Sequence, residues 1–411
     1  MKINKHCFPN GLRLVHYEDT STQMVALNIV YDVGARDEHP EHTGFAHLFE
    51  HLMFGGSAHI PDYDTPLQLA GGENNAWTNN DITNYYLTVP KPNVETAFWL
   101  ESDRMLELAF SEQSLEVQRG VVMEEFKQRC LNQPYGDVGH LFRPLAFRVH
   151  PYRWPTIGKE LSHIEQATLD EVKSFFYRFY APNNAVLAVT GNISWDETVK
   201  LTEKWFAPIP RRDVPVRQLP QEPEQTQERR LTVERNVPLD ALFMGYHMCS
   251  RESADYYAFD ILSDILSNGR SSRLNRRLVQ EQNIFSGIDA YISGTRDAGL
   301  LQISGKPAAG VSLEQAEAAV RKELEELQRS PVDGQELEKV KNKFESTQIF
   351  GNINYLNVAT NLAWFELTGK AEDIDLEVER YRSVTTEQLH TVAQRTFCES
   401  NAVVLYYKSD K

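Results

Sequence analysis

Apolar residues recur three and four positions apart in two distant stretches of this sequence, residues 168–187 and residues 385–404. In both stretches this helical spacing is followed by Asn-Ala-Val and a run of β-branched or apolar residues, which is typical of a strand. The second stretch starts 217 residues after the first. The pattern therefore predicts that one helix–strand unit occurs twice in the chain.

A second pair of similar stretches lies near the start of each half. Residues 45–55 and residues 259–269 both have a helical apolar pattern, and they start 214 residues apart. A strand-like run precedes each of them, at Met24–Tyr31 and at Ala241–His247. Two matches at nearly equal separation indicate a duplicated domain. The alternative is that these helices resemble each other only because amphipathic helices in general do.

The apolar pattern is lost between residues 208 and 230. This segment is rich in Pro, Gln, Glu and Arg, a composition typical of an exposed linker. We therefore predict a first domain at residues 1–208, a linker at residues 209–231 and a homologous second domain at residues 232–411. We expect an α+β fold in which each domain is a largely antiparallel sheet covered on one face by helices.

One motif that carries chemistry lies in the first copy only. His47, Glu50 and His51 form an H-x-x-E-H motif within a predicted helix. At about 100° per residue, His51 lies about 40° to one side of His47 and Glu50 about 60° to the other, so all three side chains share one face. Two imidazoles four residues apart can bind one zinc ion, and the carboxylate can take a proton from a water bound to that ion.

The second copy lacks this motif. It has Ile261 and Ile265 where the first copy has its two histidines, and Asp264 where the first has its glutamate. A core helix at this point therefore favours isoleucine, and histidines there cost packing unless a metal ion compensates. The comparison predicts a second domain without a zinc site. A chance occurrence of the motif in the first domain is the alternative.

A hydrolytic zinc site usually has three protein ligands and one open position for water, so a third ligand is needed. Residues 114–129 have a helical pattern and include the carboxylates Glu116, Glu124 and Glu125. The pattern does not distinguish Glu124 from Glu125. A solvated glutamate on a helix surface is the ordinary role of either one.

Charge and composition exclude several classes of function. The chain has 42 basic and 58 acidic residues and a formal net charge of −16, which opposes binding to nucleic acid and to anionic membranes. No apolar stretch reaches the ~18 residues of a membrane span, and residues 1–14 lack the apolar core of a secretory signal. We expect a cytoplasmic protein, or a periplasmic one if a leader has been removed. The four cysteines are too widely spaced to predict disulfides or a thiolate zinc site.

H-x-x-E-H is the inverse of the common zinc-protease motif. With the surrounding sequence it resembles the M16 metallopeptidases (pitrilysin, insulinase and mitochondrial processing peptidase), and in particular their short two-domain bacterial-type branch. The resemblance covers nearly the whole chain. Besides the motif, it includes Asn10-Gly11-Leu12, Gly34-Ala35-Arg36, Glu41-His42-Thr43-Gly44, Gly71-Gly72, Asn75-Ala76-Trp77-Thr78, Asp81-Ile82-Thr83-Asn84-Tyr85, His150-Pro151-Tyr152, Tyr180-Ala181-Pro182-Asn183-Asn184 and Ser272-Arg273-Leu274.

The resemblance implies the remaining parts of the metal site. Glu125 matches the third zinc ligand of the family, and Glu50 matches its catalytic base. Many relatives have a supporting Glu seven residues before the third ligand, where this sequence has Gln118. One zinc ion per chain is expected.

The resemblance also implies that an extended peptide substrate pairs with the edge of a strand, a binding mode that leaves selectivity to side-chain pockets. The side chain of Trp77 is equally typical of a core residue. The residues of this strand are Asn75, Ala76, Trp77 and Thr78.

Active relatives often carry an Arg and a Tyr seven residues apart in the second half of the chain. The matching positions here are Val279 and Ser286. In two-chain members of the branch, one chain has the zinc motif and the other has the Arg/Tyr pair. The resemblance therefore implies that this chain is the zinc-bearing partner in a dimer. A homologous chain that supplies the pair is one candidate for the other partner.

The sequence thus predicts a zinc-dependent endopeptidase that cleaves peptides or small unfolded proteins by a metal-activated water. A non-catalytic zinc-binding scaffold, or a processing-complex subunit of the same family, is the alternative. A purely structural zinc site is a third reading, although a closed site needs a fourth ligand.

Overall fold

A computed structural model describes residues 1–410 of the chain, which form both strands and helices. The strands are β1 (Ile3–Cys7), β2 (Arg13–Glu18), β3 (Met24–Tyr31), β4 (Glu73–Thr78), β5 (Thr83–Pro90), β6 (Ala185–Gly191), β7 (Arg229–Arg235), β8 (Ala241–His247), β9 (Phe285–Ile292), β10 (Leu300–Pro307) and β11 (Ala402–Ser409).

The helices of the first part of the chain are α1 (Phe45–Leu52), α2 (Asp64–Leu69), α3 (Val94–Leu106), α4 (Glu112–Phe126), α5 (Val138–Ala146), α6 (Leu161–Glu165), α7 (Leu169–Phe179) and α8 (Trp195–Trp205). Those of the remainder are α9 (Tyr256–Ser267), α10 (Leu313–Arg329), α11 (Gly334–Gly351), α12 (Tyr355–Thr368), α13 (Glu377–Ser383) and α14 (Thr386–Thr396).

Two sheets share one topology. The first has the order β1-β2-β6-β3-β5-β4, and only β2 and β6 are parallel neighbours. The second has the order β7-β11-β8-β10-β9, and only β7 and β11 are parallel. Apart from the additional β1, the strands match one to one in position and direction. The predicted α+β fold with two similar, largely antiparallel sheets is therefore confirmed.

The spacing between matching elements agrees with the internal repeat in the sequence. Strands β3 and β8 start at residues 24 and 241, and β6 and β11 start at residues 185 and 402. Helices α7 and α14, which precede β6 and β11, start at residues 169 and 386. All three pairs are separated by the predicted 217 residues.

The first sheet is buried on both faces. Along β3, Leu27 and Ile29 belong to the core formed with α1, α3, α4, α7 and α8, whereas Ala26 and Val30 pack in a separate cluster with α12. The prediction of a single covered face is therefore wrong for this sheet. Nearly every residue of β3 is buried, which is typical of a strand covered on both sides.

The chain forms two compact units, each made of three segments that are not contiguous in the sequence. The first unit comprises residues 1–131, 150–220 and 349–376, and the second comprises residues 132–149, residues 221–348 and the chain from Glu377 onward. The units differ from the predicted contiguous domains in two segments. The physical reason in the first unit is that the apolar face of α12, with Val358 and Leu362, completes the core on one side of its sheet.

The predicted linker has no regular secondary structure from residue 210 to residue 228. Within the first unit, Arg217 fixes part of this segment through ion pairs with Asp32, at 2.9 Å, and Asp37, at 2.5 Å. In the described part of the chain, no helix combines the length and the hydropathy that crossing a membrane would require.

Candidate metal centre

Helix α1, which carries the H-x-x-E-H motif, is packed into the core of the first unit. Its buried apolar residues are Phe45, Ala46, Leu48, Phe49 and Leu52. Gly44 precedes the helix with a φ of 88°. A Cβ atom there would lie 2.7 Å from Ile164 Cδ1 and 2.8 Å from the carbonyl oxygen of Ile157. Glycine therefore permits both the backbone turn and the close packing at the start of α1.

The three predicted zinc ligands converge. His47 and His51 lie one turn apart on α1, with their ring centroids separated by 4.9 Å. Glu125 approaches from α4, and its Oε2 is 3.5 Å from His47 Nε2 and 3.3 Å from His51 Nε2. One potential ligand atom from each residue lies within 4.8 Å of the others. Such a group of three is the usual protein contribution to a hydrolytic zinc site.

Both types of ligand are in the protonation state that metal binding requires. Burial lowers the pKa of His47 to about 4, so its imidazole is neutral at neutral pH. The hydrogen bond with His51 is the main cause that lowers the pKa of Glu125, which is therefore ionised. Two imidazole nitrogens and one carboxylate oxygen suit zinc and leave a coordination position for water. The residues present thus fit a zinc ion.

Neighbouring glutamates of α4 point in different directions. Glu124 is exposed, lies 3.8 Å from Lys127 Nζ and accepts a hydrogen bond from Gln128. Glu125 is half-buried, and its Oε1 lies 2.9 Å from Arg129 Nη1. Of the two glutamates that the sequence pattern left open, Glu125 is the one beside the histidines.

Glu50 is half-buried on α1, on the same helix as the two histidines, and interacts electrostatically with His51 and Glu125. Burial raises its pKa, an effect opposed by a hydrogen bond with Thr78 and by the charge of His51. A carboxylate with a raised pKa is a stronger proton acceptor than an ordinary carboxylate, which suits a general base. Since Thr78 is the last residue of β4, this strand ends beside Glu50.

The strand predicted to bind substrate is an edge strand. Among the described strands, β4 pairs only with β5. Its side chains alternate, so that Ala76 packs toward the core containing α1 and Trp77 packs in the cluster with α12. Trp77 is half-buried against this cluster, which agrees with one of the two roles the sequence allowed and leaves the other open. The N–H of Ala76 donates a hydrogen bond to Asn75 Oδ1 at 2.8 Å.

The second unit has no counterpart of this centre at the matching positions. Ile261 and Ile265 are buried on α9 in place of the histidines. Val279 lies in a π-helical segment, and Ser286 on β9 donates a hydrogen bond to the carbonyl of Lys306 at 3.1 Å. In the first unit, Gln118 lies on α4 two turns before the predicted third ligand and is half-buried.

Sequence reasoning missed Glu38, which is buried beside the start of α1. Its Oε1 accepts a hydrogen bond from the N–H of Ala46 at 2.9 Å, and its Oε2 accepts one from the N–H of Gly44 at 2.9 Å. Trp154 Nε1 donates to the same Oε2 at 3.1 Å. The usual capping signal is a polar residue directly before the helix, and Glu38 lies too far upstream to match it.

Comparison with known protein families gives two matches along the chain. Residues 13–137 match the family described as Insulinase (Peptidase family M16). Residues 166–344 match the family described as Peptidase M16 inactive domain. The first match contains the three convergent ligands and Glu50, and the second begins just before α7 and extends through most of the second unit.

Individual relatives match over almost their full length. Zinc protease PqqE of Helicobacter pylori is 26% identical over 97% of this chain and 91% of its own. Uncharacterized zinc protease YmxG of Bacillus subtilis is 25% identical over 98% of both chains. The crystal structure of a protease from Helicobacter pylori has a TM-score of 0.94 at 26% identity and covers 99% of each chain. The names of both sequence relatives point to peptidase activity and to zinc.

Proposed function

Because this chain belongs to the M16 peptidase family, we propose that it is a zinc-dependent endopeptidase that cleaves peptides or small unfolded proteins. Full-length relatives named zinc proteases support this proposal. The single observation that carries it is the convergence of His47, His51 and Glu125, with Glu50 on the same helix as the two histidines.

Each residue of the centre has a separate role in this proposal. His47, His51 and Glu125 would hold one zinc ion per chain. When bound, zinc polarises a water molecule and the peptide carbonyl. Glu50 accepts the proton of the attacking water and then donates it to the leaving amine, a cycle that its raised pKa favours.

Edge strand β4 would hold the substrate. An extended peptide adds to the free edge as a further strand, so that main-chain hydrogen bonds from Asn75, Ala76, Trp77 and Thr78 fix its position. This arrangement requires little of the substrate's side chains. It also directs the peptide toward Glu50, because Thr78 contacts that carboxyl group.

We infer that this chain is the catalytic member of a dimer. Val279 and Ser286 stand where active relatives carry Arg and Tyr, so a homologous chain would supply donors for the charge that develops on the carbonyl oxygen. The same observation favours a second candidate function, a non-catalytic zinc-binding scaffold or processing-complex subunit.

Glu50→Gln tests the proposal. The variant is expected to bind one zinc ion per chain, since Glu50 is not a ligand, and to lose cleavage of an internally quenched, unstructured peptide by a factor of about 10² or more. Metal analysis and fluorescence measure the two properties. Glu124→Gln, the same change at an exposed residue, is the matched control and should leave both unchanged.

Two results would contradict the proposal. Undiminished turnover by metal-replete Glu50→Gln would remove Glu50 from the role of base. Wild-type protein that binds zinc but cleaves no peptide, alone or with a homologous chain, would favour the scaffold.

A further inference from the structure

We propose that Glu38 is a positioning residue for the metal site, whose carboxylate holds the first turn of α1 so that the imidazoles of His47 and His51 face Glu125. This inference rests on the proposed zinc site. It assigns a role to a residue that lies outside the H-x-x-E-H motif and contacts none of the three ligands in the hydrogen bonds described.

The carboxyl group of Glu38 is buried, which raises its pKa to about 8, and hydrogen bonds from Ala46, Gly44 and Trp154 oppose this rise. Glu38 is 7% exposed, and its two oxygens accept three hydrogen bonds, from Gly44 N–H, Ala46 N–H and Trp154 Nε1. All three partners are donors, so the pocket is complementary to a carboxylate and not to an amide. A buried carboxylate without such partners would be costly. Two of the three donors that stabilise Glu38 belong to the start of α1.

Helix α1 has no cap of its own. The residue at its N-cap is Gly44, which has no side chain to accept from the helix, and the first turn of α1 contains no acidic residue. The helix is only eight residues long, a length at which helices are unstable without tertiary support. Glu38 satisfies N–H groups of Gly44 and Ala46 that would otherwise be unpaired, and its ionised form adds negative charge at the positive end of the helix dipole.

The ring of His47 depends on this anchor. Metal-binding histidines usually donate a hydrogen bond from the second ring nitrogen, which fixes the orientation of the ring. Within the described structure the buried Nδ1 of His47 has no such partner. The direction of its Nε2 is therefore set by the backbone of α1 and by packing, and the adjacent residue, Ala46, is one of the two that Glu38 holds.

Glu38→Gln is the direct test. An amide side chain has one accepting oxygen, and its NH₂ group would face a backbone or indole N–H. The affinity for zinc, measured by competition with a chelator, is expected to fall about tenfold. In the Co²⁺-substituted protein, the visible absorption spectrum should change in band position or intensity because the ligand geometry is altered.

Ser194→Ala is the matched control for the loss of a helix cap. Ser194 Oγ accepts a hydrogen bond from the N–H of Glu197 at the start of α8, in the same unit. Its loss should lower the melting temperature to a degree comparable with Glu38→Gln. The zinc affinity and the Co²⁺ spectrum of Ser194→Ala should nevertheless match those of the wild type. If a general loss of stability caused the changes in Glu38→Gln, Ser194→Ala would show the same changes.

Glu38→Asp is a milder second variant. It keeps the charge but is one methylene shorter, so the carboxylate cannot reach all of its donors, and a zinc affinity between those of wild type and Glu38→Gln is expected. Wild-type affinity and an unchanged Co²⁺ spectrum in either folded variant would overturn the proposal.

If neither variant folds, amide hydrogen exchange in the metal-free wild type decides. The amides of Gly44 and Ala46 should be protected, and exchange at the rate of an unstructured peptide would overturn the proposal. Failure of the proposed function is distinguishable, because it would appear as a wild-type protein that cleaves no peptide, with or without bound zinc, while these amides are still protected.

Discussion

At the scale of single residues, the surroundings of each side chain separate metal binding from proton transfer. Burial keeps His47 neutral, and the contact with His51 keeps Glu125 ionised, so both can act as ligands. On the same helix, burial raises the pKa of Glu50 and suits it to exchange a proton. Groups with different pKa shifts within one small cluster are typical of acid–base catalysis.

These residues could be predicted from the sequence to different degrees. His47, Glu50 and His51 were predictable because their spacing places them on one face of one helix, which is a local property. Glu125 required the family resemblance, because its contact joins two helices that are distant in the chain. Glu38 was not predictable, since a cap supplied through space leaves no signature next to the helix.

A buried aspartate in the second unit predicts a pH dependence of stability. Burial raises the pKa of Asp260 from 3.8 to about 6, against the effect of a hydrogen bond from Tyr381. Between these pH values the folded protein keeps a proton that the unfolded chain has lost. The contribution of Asp260 to the free energy of unfolding therefore falls as the pH rises through this window.

Asp260→Asn removes this titration. In metal-free protein, the melting temperature of wild type relative to Asp260→Asn is expected to be higher at about pH 4 than at about pH 7. Asp196 is exposed, and Asp196→Asn is the control. The difference in melting temperature between this variant and the wild type should vary little with pH. A difference between wild type and Asp260→Asn that does not vary with pH would contradict the prediction.

At the scale of elements, the apolar periodicity predicted which helices and strands exist better than it predicted where they lie in the fold. Strands β3 and β8 have the bounds that the sequence indicated, because their apolar runs are flanked by clear breaks. The place of α12 could not be predicted in the same way, since an apolar helix face does not specify which sheet it covers. The nearly continuous apolar run of β3 is a local sequence sign of a strand covered on both faces.

Ala76→Pro tests whether the edge of β4 binds substrate. Proline removes the N–H of residue 76. Among the side-chain contacts described, this N–H donates only to Asn75 Oδ1. If an incoming peptide competes for this donor, KM for the quenched peptide should rise about fivefold, as expected for one lost hydrogen bond. Zinc content should not change.

Ala76→Gly is the control for this change, because it keeps the N–H and removes only the methyl group. Its KM should stay close to that of the wild type. Equal KM values for the proline and glycine variants would show that pairing at this position does not contribute to binding.

At the scale of the whole molecule, one architecture occurs twice and carries the metal-binding residues once. The shared strand order shows that the second sheet keeps the fold, while Ile261 and Ile265 replace the two histidines with core residues. The duplication was predictable because both copies keep the same spacing. The assembly of each unit from non-contiguous segments was not predictable, because it depends on contacts between distant parts of the chain.

Mixing this chain with a homologous chain that carries the Arg/Tyr pair tests the proposed dimer. Cleavage of the quenched peptide by the mixture is expected to exceed the sum of the separate rates at least about tenfold, since the partner adds donors at the carbonyl oxygen. Glu50→Gln mixed with the same partner should show no increase. Full activity of the isolated wild-type chain would contradict the need for a partner.

The position of α12 in the chain has a consequence for protein synthesis. Residues 349–376 leave the ribosome long after all six strands of the first sheet, so the apolar face formed by Val15, Ala26 and Val186 has no cover in the meantime. Such surfaces on nascent chains promote aggregation and recruit chaperones. The first unit therefore cannot complete its core while its strands emerge, and the last step of its folding waits until residues 349–376 have been synthesised.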